Sequence, residues 1–234
     1  MIKLAFDTQF WGVAFYECEV ADLPLADSLD EPCLIQLKLN ELAYYSASEA
    51  LSNRAFFYGG SCVEYEKAIP KKMDLDNLKH AAYIEKYREA ILQLAESSFT
   101  YSRYRPIFDD HLVRKFYRLW AEKSIQGLLD DVCFVVADDG VFKGFVTLKM
   151  STSDKKCKIG LISVLSQFRG EGVAHRLILL AEAYAFSKGA KSLSVVTQSA
   201  NIAAQNAYIK EGYHLKHTAH WFYKKTGIQS HDKV

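Results

Sequence analysis

No two cysteines stand at C-x-x-C spacing, no block of lysine and arginine interrupts the chain, and no apolar run approaches the length of a bilayer span. Each absence removes a class of protein. The five cysteines, Cys18, Cys33, Cys62, Cys133 and Cys157, are odd in number and scattered, which argues for reduced, buried thiols rather than a disulfide frame or a zinc site. The 29 basic and 28 acidic residues nearly cancel, so the basic face that a nucleic-acid partner requires is missing. A membrane helix needs ~18 or more consecutive apolar residues. Residues 1–6 carry one lysine and no leader-like apolar core, so neither secretion nor membrane insertion is indicated and a cytoplasmic protein is expected. His214, His217 and His220 recur every third residue in a segment that reads as strand, and that spacing sends His217 to the opposite face from the other two. No metal site is expected.

What is present is a globular composition, half of it apolar, without internal repeats or low-complexity segments. A boundary is expected over residues 69–77, where Pro70, four charges and a polar run break the pattern. It divides an N-terminal α/β domain (1–76), contributing to the acceptor site, from a main domain (77–226) and a polar tail (227–234). In the first part, residues 7–20 are aromatic and alternating, 32–39 form a short apolar run, and 47–58 read as helix. Gly59 and Gly60 read as a turn into a strand at 61–68. In the second part, residues 80–99 show a helical stripe of Tyr83, Tyr87, Ile91, Leu94 and Ala95. Residues 111–125 show another of Leu112, Phe116, Leu119 and Trp120, ended by Gly127. Strands are predicted at 132–137, 142–150, 157–165 and 192–197, with Asp138-Asp139-Gly140 as a hairpin turn. A helix runs to Lys188 and a short one spans 202–211, each stopped by a glycine. An alternating stretch covers 213–225.

Between the third of these strands and the helix that follows it lies Arg169-Gly170-Glu171-Gly172-Val173-Ala174. Strand, glycine turn and helix together present unpaired backbone N–H groups and a partial positive charge to a phosphate. Three motifs compete for the site. A P-loop would need Lys-Ser or Lys-Thr after the glycines, and neither is there. A dinucleotide fingerprint would need a third glycine where His175 stands, and an acid where the next strand ends in Thr197-Gln198-Ser199. The pattern R/Q-x-x-G-x-G/A is met by Arg169, Gly172 and Ala174, and also by Gln167, Gly170 and Gly172. The first register is preferred because it sets Gly172 and Ala174 in the first helical turn.

With this motif and the order of elements after residue 80, the chain resembles the GNAT superfamily of acetyl-coenzyme A-dependent N-acetyltransferases over roughly its last two thirds. The resemblance implies an α/β GNAT fold: a central mixed, mostly antiparallel sheet flanked by helices, with two strands splayed apart to admit the pantetheine arm. A smaller N-terminal α/β domain is expected beside it. The resemblance also implies acetyl-CoA as donor, bound by Ile162, Val164, Arg169, Gly170, Glu171, Gly172, Val173, Ala174, Asn201 and Ala204. Asn201 suits the N-cap of the short helix, and Tyr208, two turns on, shares its face. In the family the matching asparagine contacts the coenzyme A arm and the matching tyrosine is the general acid toward the thioester sulfur. The alternative for Tyr208 is plain packing against the sheet. Glu64 and Glu66 share a strand face by alternation. They form either a solvated face or the mouth of the acetyl site, with Glu64 the candidate base through water.

Phe10-Trp11-Gly12-Val13, Ser102-Arg103-Tyr104-Arg105, Phe116-Tyr117 with Trp120, and residues 218–223 are similar to one branch of that family. Its members acetylate the 4-amino group of a dTDP-linked 4-amino-4,6-dideoxygalactose in enterobacterial common antigen synthesis. This implies a nucleotide-sugar acceptor, with Arg103 and Arg105 toward its diphosphate and Tyr104, Glu66 and Trp221 around the sugar and base. It also implies a homodimer, as do aromatic final strands read as exposed. The basic residue that precedes the tyrosine in that branch is Ala207 here, which puts one phosphate contact in question. Other readings remain open. The loop arginines pair with Asp109 and Asp110; the acceptor is a protein N-terminus, a lysine or a polyamine; or the chain is a non-catalytic coenzyme A-binding module.

Overall fold

In the computed structural model, which describes residues 1–72 and 85–227, one mixed sheet of nine strands carries the molecule. The strands are β1 (Ile2–Lys3), β2 (Ala14–Cys18), β3 (Cys33–Leu39), β4 (Phe57–Ala68), β5 (Val132–Asp138), β6 (Val141–Ser151), β7 (Lys156–Val164), β8 (Ser192–Gln198) and β9 (His214–Thr226). Their spatial order is β1-β2-β3-β9-β4-β8-β7-β6-β5. All pairings are antiparallel except β2–β3 and β7–β8.

Helices cover both faces because the strands are apolar on both. One face carries α1 (Ala5–Trp11), α4 (Arg88–Ser98) and α5 (Asp110–Ile125), which bury Trp11, Ile91, Leu94 and Phe116 against it. The other carries α2 (Leu23–Asp27), α3 (Glu41–Asn53) and α6 (Val173–Ser187). Leu177, Ile178, Ala181 and Tyr184 of α6 pack on β5 to β8. The short α7 (Ile202–Lys210) begins at Asn201, whose side chain accepts from the Ala204 N–H at 3.3 Å, as its position predicts. Asp139 and Gly140, both at positive φ, make the predicted two-residue hairpin.

Several sequence expectations change. Residues 7–20 are not one extended stretch: Ala5–Trp11 is helical, and Gly12 in the left-handed region ends it. The helix expected at 47–58 is Glu41–Asn53, with Asn40 capping the Ala43 N–H at 2.8 Å. Gly59 and Gly60 are not a turn but lie within β4, at a register shift against β9. A Cβ at Gly59 would overlap the Tyr223 ring, so the glycine is demanded by close packing. The helix expected at 80–99 is Arg88–Ser98 after a single turn at Glu85–Tyr87, and Tyr83 lies outside the described residues. The final stretch is one strand set between β3 and β4, with Trp221, Phe222 and Tyr223 buried, so it offers no exposed aromatic edge to a second copy. Strands on both sides of the boundary at 69–77 share the one sheet.

The feature that makes a site is a fork. β7 and β8 pair only from Lys156↔Ser192 to Ile159↔Val195. Beyond that point β7 stays with β6 and β8 stays with β4. At the fork Gly160 and Leu161 together oppose the single residue Thr147, a bulge that bends β7 away.

Candidate active site

A cleft of about 1480 Å³ runs through the fork, lined by residues from both faces of the sheet. On the α6 side it is floored by the glycine turn. Gly170 (φ +84°) and Gly172 (φ +78°) hold the left-handed backbone that swings the chain into α6, and among the described residues nothing comes within 4 Å of where a Cβ would stand. Gly172 is the N-cap and, having no side chain, gives the first turn of α6 no side-chain cap. That end therefore offers open space, unpaired N–H groups and a positive helix end, which suits a pyrophosphate. Ile162, Val164, Arg169, Gly170, Gly172, Val173, Ala174, Asn201 and Ala204 all line the cleft. Glu171 does not: its carboxylate pairs with Lys143 at 3.4 Å. Lys210, one turn beyond Ala207 on α7, lines the cleft instead, as does His175. A positive charge thus stands on the cleft three residues after Ala207.

Tyr208 is 4% exposed and lines the same cleft. Its ring stands 6.1 Å from Tyr65 and 6.0 Å from Tyr213, and its hydroxyl makes no hydrogen bond with any described residue. Burial pushes the hydroxyl well above the ordinary tyrosine range, so it stays protonated at neutral pH.

On the α5 side the cleft is walled by Arg103, Tyr104, Trp120 and Trp221. Arg103 donates through Nη1 to Gln36 Oε1 and the Tyr223 hydroxyl, and through Nη2 to the Tyr104 hydroxyl, each at 2.6 Å. Its guanidinium lies 3.9 Å from the centre of the Trp221 ring. Tyr104 in turn donates to Asp7 at 2.8 Å. Burial works against the Arg103 charge, but the neighbouring Tyr104, Tyr223 and Asp7 outweigh it and hold the group protonated. Phe10 and Trp11 stand behind this wall: Trp11 stacks on Phe108 at 3.6 Å and on Phe116 at 5.1 Å, fixing the arginine loop.

The structure separates the remaining candidates from the cleft. Arg105 pairs with Asp110, the surface reading left open above for the loop. Glu64 and Glu66 do share a face, but neither lines the cleft. Glu64 is held by Lys216 at 3.2 Å and His217 at 3.4 Å. Burial pushes the Glu66 carboxyl up, yet the Ser192 hydroxyl and Lys216 hold it below its usual range. Glu64→Gln is therefore expected to keep kcat within about tenfold of wild type, short of the ~10²-fold or more that a positioned base supplies. Steady-state rates decide it, and a larger fall would restore Glu64 as the base.

Asp130 is a cleft residue that no sequence pattern marks. It is 5% exposed, lines the cleft, and accepts at Oδ2 from Ser124 Oγ (2.8 Å), Thr147 Oγ1 (2.6 Å) and Trp120 Nε1 (3.3 Å). Thr147 also accepts from the Leu161 N–H at 2.8 Å, tying the carboxylate to the bulge. In Leu129-Asp130-Asp131 it looks like any loop acid, and only tertiary structure brings its donors together.

Comparison with known proteins agrees with this geometry. The model of the acetyltransferase (GNAT) family matches residues 88–213. The dTDP-fucosamine acetyltransferase of Escherichia coli O6:H1 is 33% identical over 138 residues, 58% of each chain, so this protein spans under two thirds of that relative's length. Among solved structures, a GNAT acetyltransferase from Colwellia psychrerythraea (14% identity, TM-score 0.57, 88% of this chain and 73% of that one) shares the fold. So does a GCN5-related N-acetyltransferase from Sphaerobacter thermophilus (15%, TM-score 0.56, 84% and 61%). The forked sheet, the uncapped glycine turn and the family match over more than half the sequence lead to one conclusion: the chain belongs to the GNAT family of acetyltransferases, whose donor is acetyl-CoA.

Proposed function

We propose that this protein transfers the acetyl group of acetyl-CoA to the amino group of a nucleotide-linked amino-deoxy sugar, by direct attack in a ternary complex. Our best assignment of the acceptor is dTDP-4-amino-4,6-dideoxygalactose, for surface polysaccharide synthesis. Arg103 carries the reading. It is a largely buried cation on the acceptor side of the cleft, and among the described residues no carboxylate lies within ion-pair distance of it. Asp7 reaches it only through the Tyr104 hydroxyl and Glu17 only through Gln36; a buried charge without a direct counter-ion is costly, and the diphosphate of a nucleotide sugar would supply one. The Trp221 ring beneath it adds an apolar surface for a sugar or base. The resemblance to an enzyme named for dTDP-fucosamine supports the same class.

Bound acetyl-CoA would supply the activated thioester. The protein's own residues do the rest. The first turn of α6, with Arg169, His175 and Lys210, would hold the phosphates, and Ile162, Val164, Asn201 and Ala204 line the path to the fork. Tyr208 holds a proton on the donor side of the fork, as a general acid must. Acceptor groups occupy the opposite face, so the amine and the leaving sulfur would meet through the sheet.

A peptide or polyamine acceptor would want an acidic cleft. Of the four acids that would provide one, Glu64, Glu66, Asp109 and Asp110, none lines the cleft, and the acids that do line it share it with Arg103, Lys149, Lys158 and Lys210 rather than forming an acidic surface. A non-catalytic module would have no use for a protonated Tyr208 at the fork. A homodimer rests on the family resemblance alone. Among the described residues no helix is long and apolar enough to cross a membrane, and no group of ligands could hold a metal ion. Acetyl-CoA as donor goes with a cytoplasmic site of action.

Incubation with acetyl-CoA and a panel of dTDP- and UDP-amino sugars, polyamines and peptides, followed by free-thiol release, tests the reading. Turnover with a nucleotide amino sugar is expected. Turnover confined to peptides or polyamines would sink it, and acetyl-CoA binding without any turnover would favour the module. The donor site has its own test in Ala174→Asp. A carboxylate in the first turn of α6 favours the helix by ~0.3–1 kcal/mol, so the fold is expected to hold. It would repel a pyrophosphate at the same place, so the Kd for acetyl-CoA should rise at least about tenfold in calorimetry. An unchanged Kd would move the phosphates elsewhere.

A further inference from the structure

We propose that Asp130 holds the amino group of the acceptor at the fork, and so makes the enzyme select an amine over a hydroxyl; the inference rests on the reading of an amine acceptor given above. Asp130 stands on the acceptor face, on the loop between α5 and β5, and lines the cleft that also contains Tyr208. It sits directly against Gly160, the first residue of β7 beyond the last pair with β8: a Cβ there would overlap the carboxylate. The carboxylate therefore lies at the point where the two strands part and the thioester would pass.

Its hydrogen bonds are one-sided. Ser124, Thr147 and Trp120 all donate to Oδ2, whereas Oδ1 accepts from no described residue. All three donors are neutral, and no lysine, arginine or histidine among the described residues lies within ion-pair distance of it. Asp131, the next residue, shows the contrast, for it is paired with Lys149 at 2.9 Å. A carboxylate 5% exposed, without a cation, facing a cleft with one free oxygen, is a poor investment for stability alone. An aliphatic primary amine arrives largely as ammonium near neutral pH and would supply the missing charge. Once the ammonium has lost one proton to solvent, Oδ1 accepts as well from an N–H of the neutral amine, so the anchor persists while the nitrogen attacks. A hydroxyl gives one neutral hydrogen bond and no charge. Arg103 and Asp130 on the same face then read the two ends of one acceptor, the diphosphate and the amine.

The rival role is structural: the carboxylate braces Thr147 and, through it, the bulge. Two variants separate the roles. In Asp130→Asn the amide oxygen can face the three donors while the amide nitrogen replaces Oδ1, removing charge but not shape. Thr147→Val removes one donor and leaves the charge. Binding of dTDP-4-amino-4,6-dideoxygalactose and of its 4-hydroxy counterpart is measured by calorimetry, with acetyl-CoA binding alongside. Wild type is expected to prefer the amine by at least about 30-fold, the scale of a buried charge pair. Asp130→Asn should bring the preference within about threefold of parity with acetyl-CoA affinity unchanged, and Thr147→Val should keep it. A preference retained in Asp130→Asn, or lost equally in Thr147→Val, would overturn the assignment. If wild type binds neither nucleotide sugar, the acceptor proposal fails and the anchor is judged on the amine that does turn over, compared with its N-acetylated product, with the same loss expected in Asp130→Asn.

Discussion

Tyr208→Phe is expected to lower kcat by about 10²-fold or more while leaving the affinity for acetyl-CoA within about threefold. The substitution removes one oxygen and nothing else. The ring packs between Tyr65 and Tyr213, and that packing survives in phenylalanine. The hydroxyl makes no hydrogen bond with any described residue, so its loss breaks no structural bond, and removing an unpartnered polar group is neutral or mildly stabilising. Fold and rate are thereby uncoupled. The sign of the pH dependence follows from burial, which raises the hydroxyl above the ordinary value near pH ~10. The protonated, donating form persists to higher pH than a free tyrosine would allow, so Tyr208 should impose no alkaline fall in kcat below about pH 10. Rates measured with wild type and Tyr208→Phe from neutral to alkaline pH check both claims. A kcat within threefold of wild type would return Tyr208 to a packing role.

The donor half of the candidate site, as a set of residues lining one cleft, was legible in the sequence because its signals are local. The glycine turn, the strand before it, the helix after it and the Asn201–Tyr208 spacing each lie within one or two elements. Backbone geometry and helical periodicity fix such features, and all but Glu171 of the residues assigned to the donor line the cleft. Glu171 could not be sorted from its neighbours, because its orientation depends on Lys143, one strand away in space and 28 residues away in sequence. The proposed acceptor half is built from distant pieces. Arg103 meets Gln36 and Tyr223 across separations of 67 and 120 residues, and no pattern along the chain records that. Arg103 and Arg105 look alike in Ser102-Arg103-Tyr104-Arg105, yet one turns inward to a tyrosine cage and the other outward to Asp110. Gly59-Gly60 misled for a related reason. A glycine pair usually marks a turn, but here one glycine yields space to the Tyr223 ring from a neighbouring strand. Long-range β pairing also hid the position of β9, last in the chain and near the middle of the sheet.

Arg103→Gln is expected to raise the KM for a nucleotide-sugar acceptor at least about 30-fold while the KM for acetyl-CoA stays within about twofold. Arg103 offers a planar, permanently charged donor array. Its partners Gln36, Tyr223 and Tyr104 satisfy its hydrogen-bonding geometry and give it no direct ion pair, since Asp7 acts on it only through the Tyr104 hydroxyl. Glutamine keeps a donor and an acceptor in the cage and removes the charge, so the loss isolates the electrostatic part. The diphosphate is the group that charge would read, and dTDP alone is therefore the sharpest probe. It should compete with the acceptor in wild type, more weakly as salt rises, and hardly at all in Arg103→Gln. Because the cage also joins α1, β3 and β9, part of any effect could be mechanical. Arg103→Lys answers that point: it keeps the charge and gives up the planar fork, so it should recover a measurable share of dTDP binding that Arg103→Gln lacks. Equal failure of both variants, together with a risen KM for acetyl-CoA, would make Arg103 a structural tie and remove the diphosphate from the acceptor.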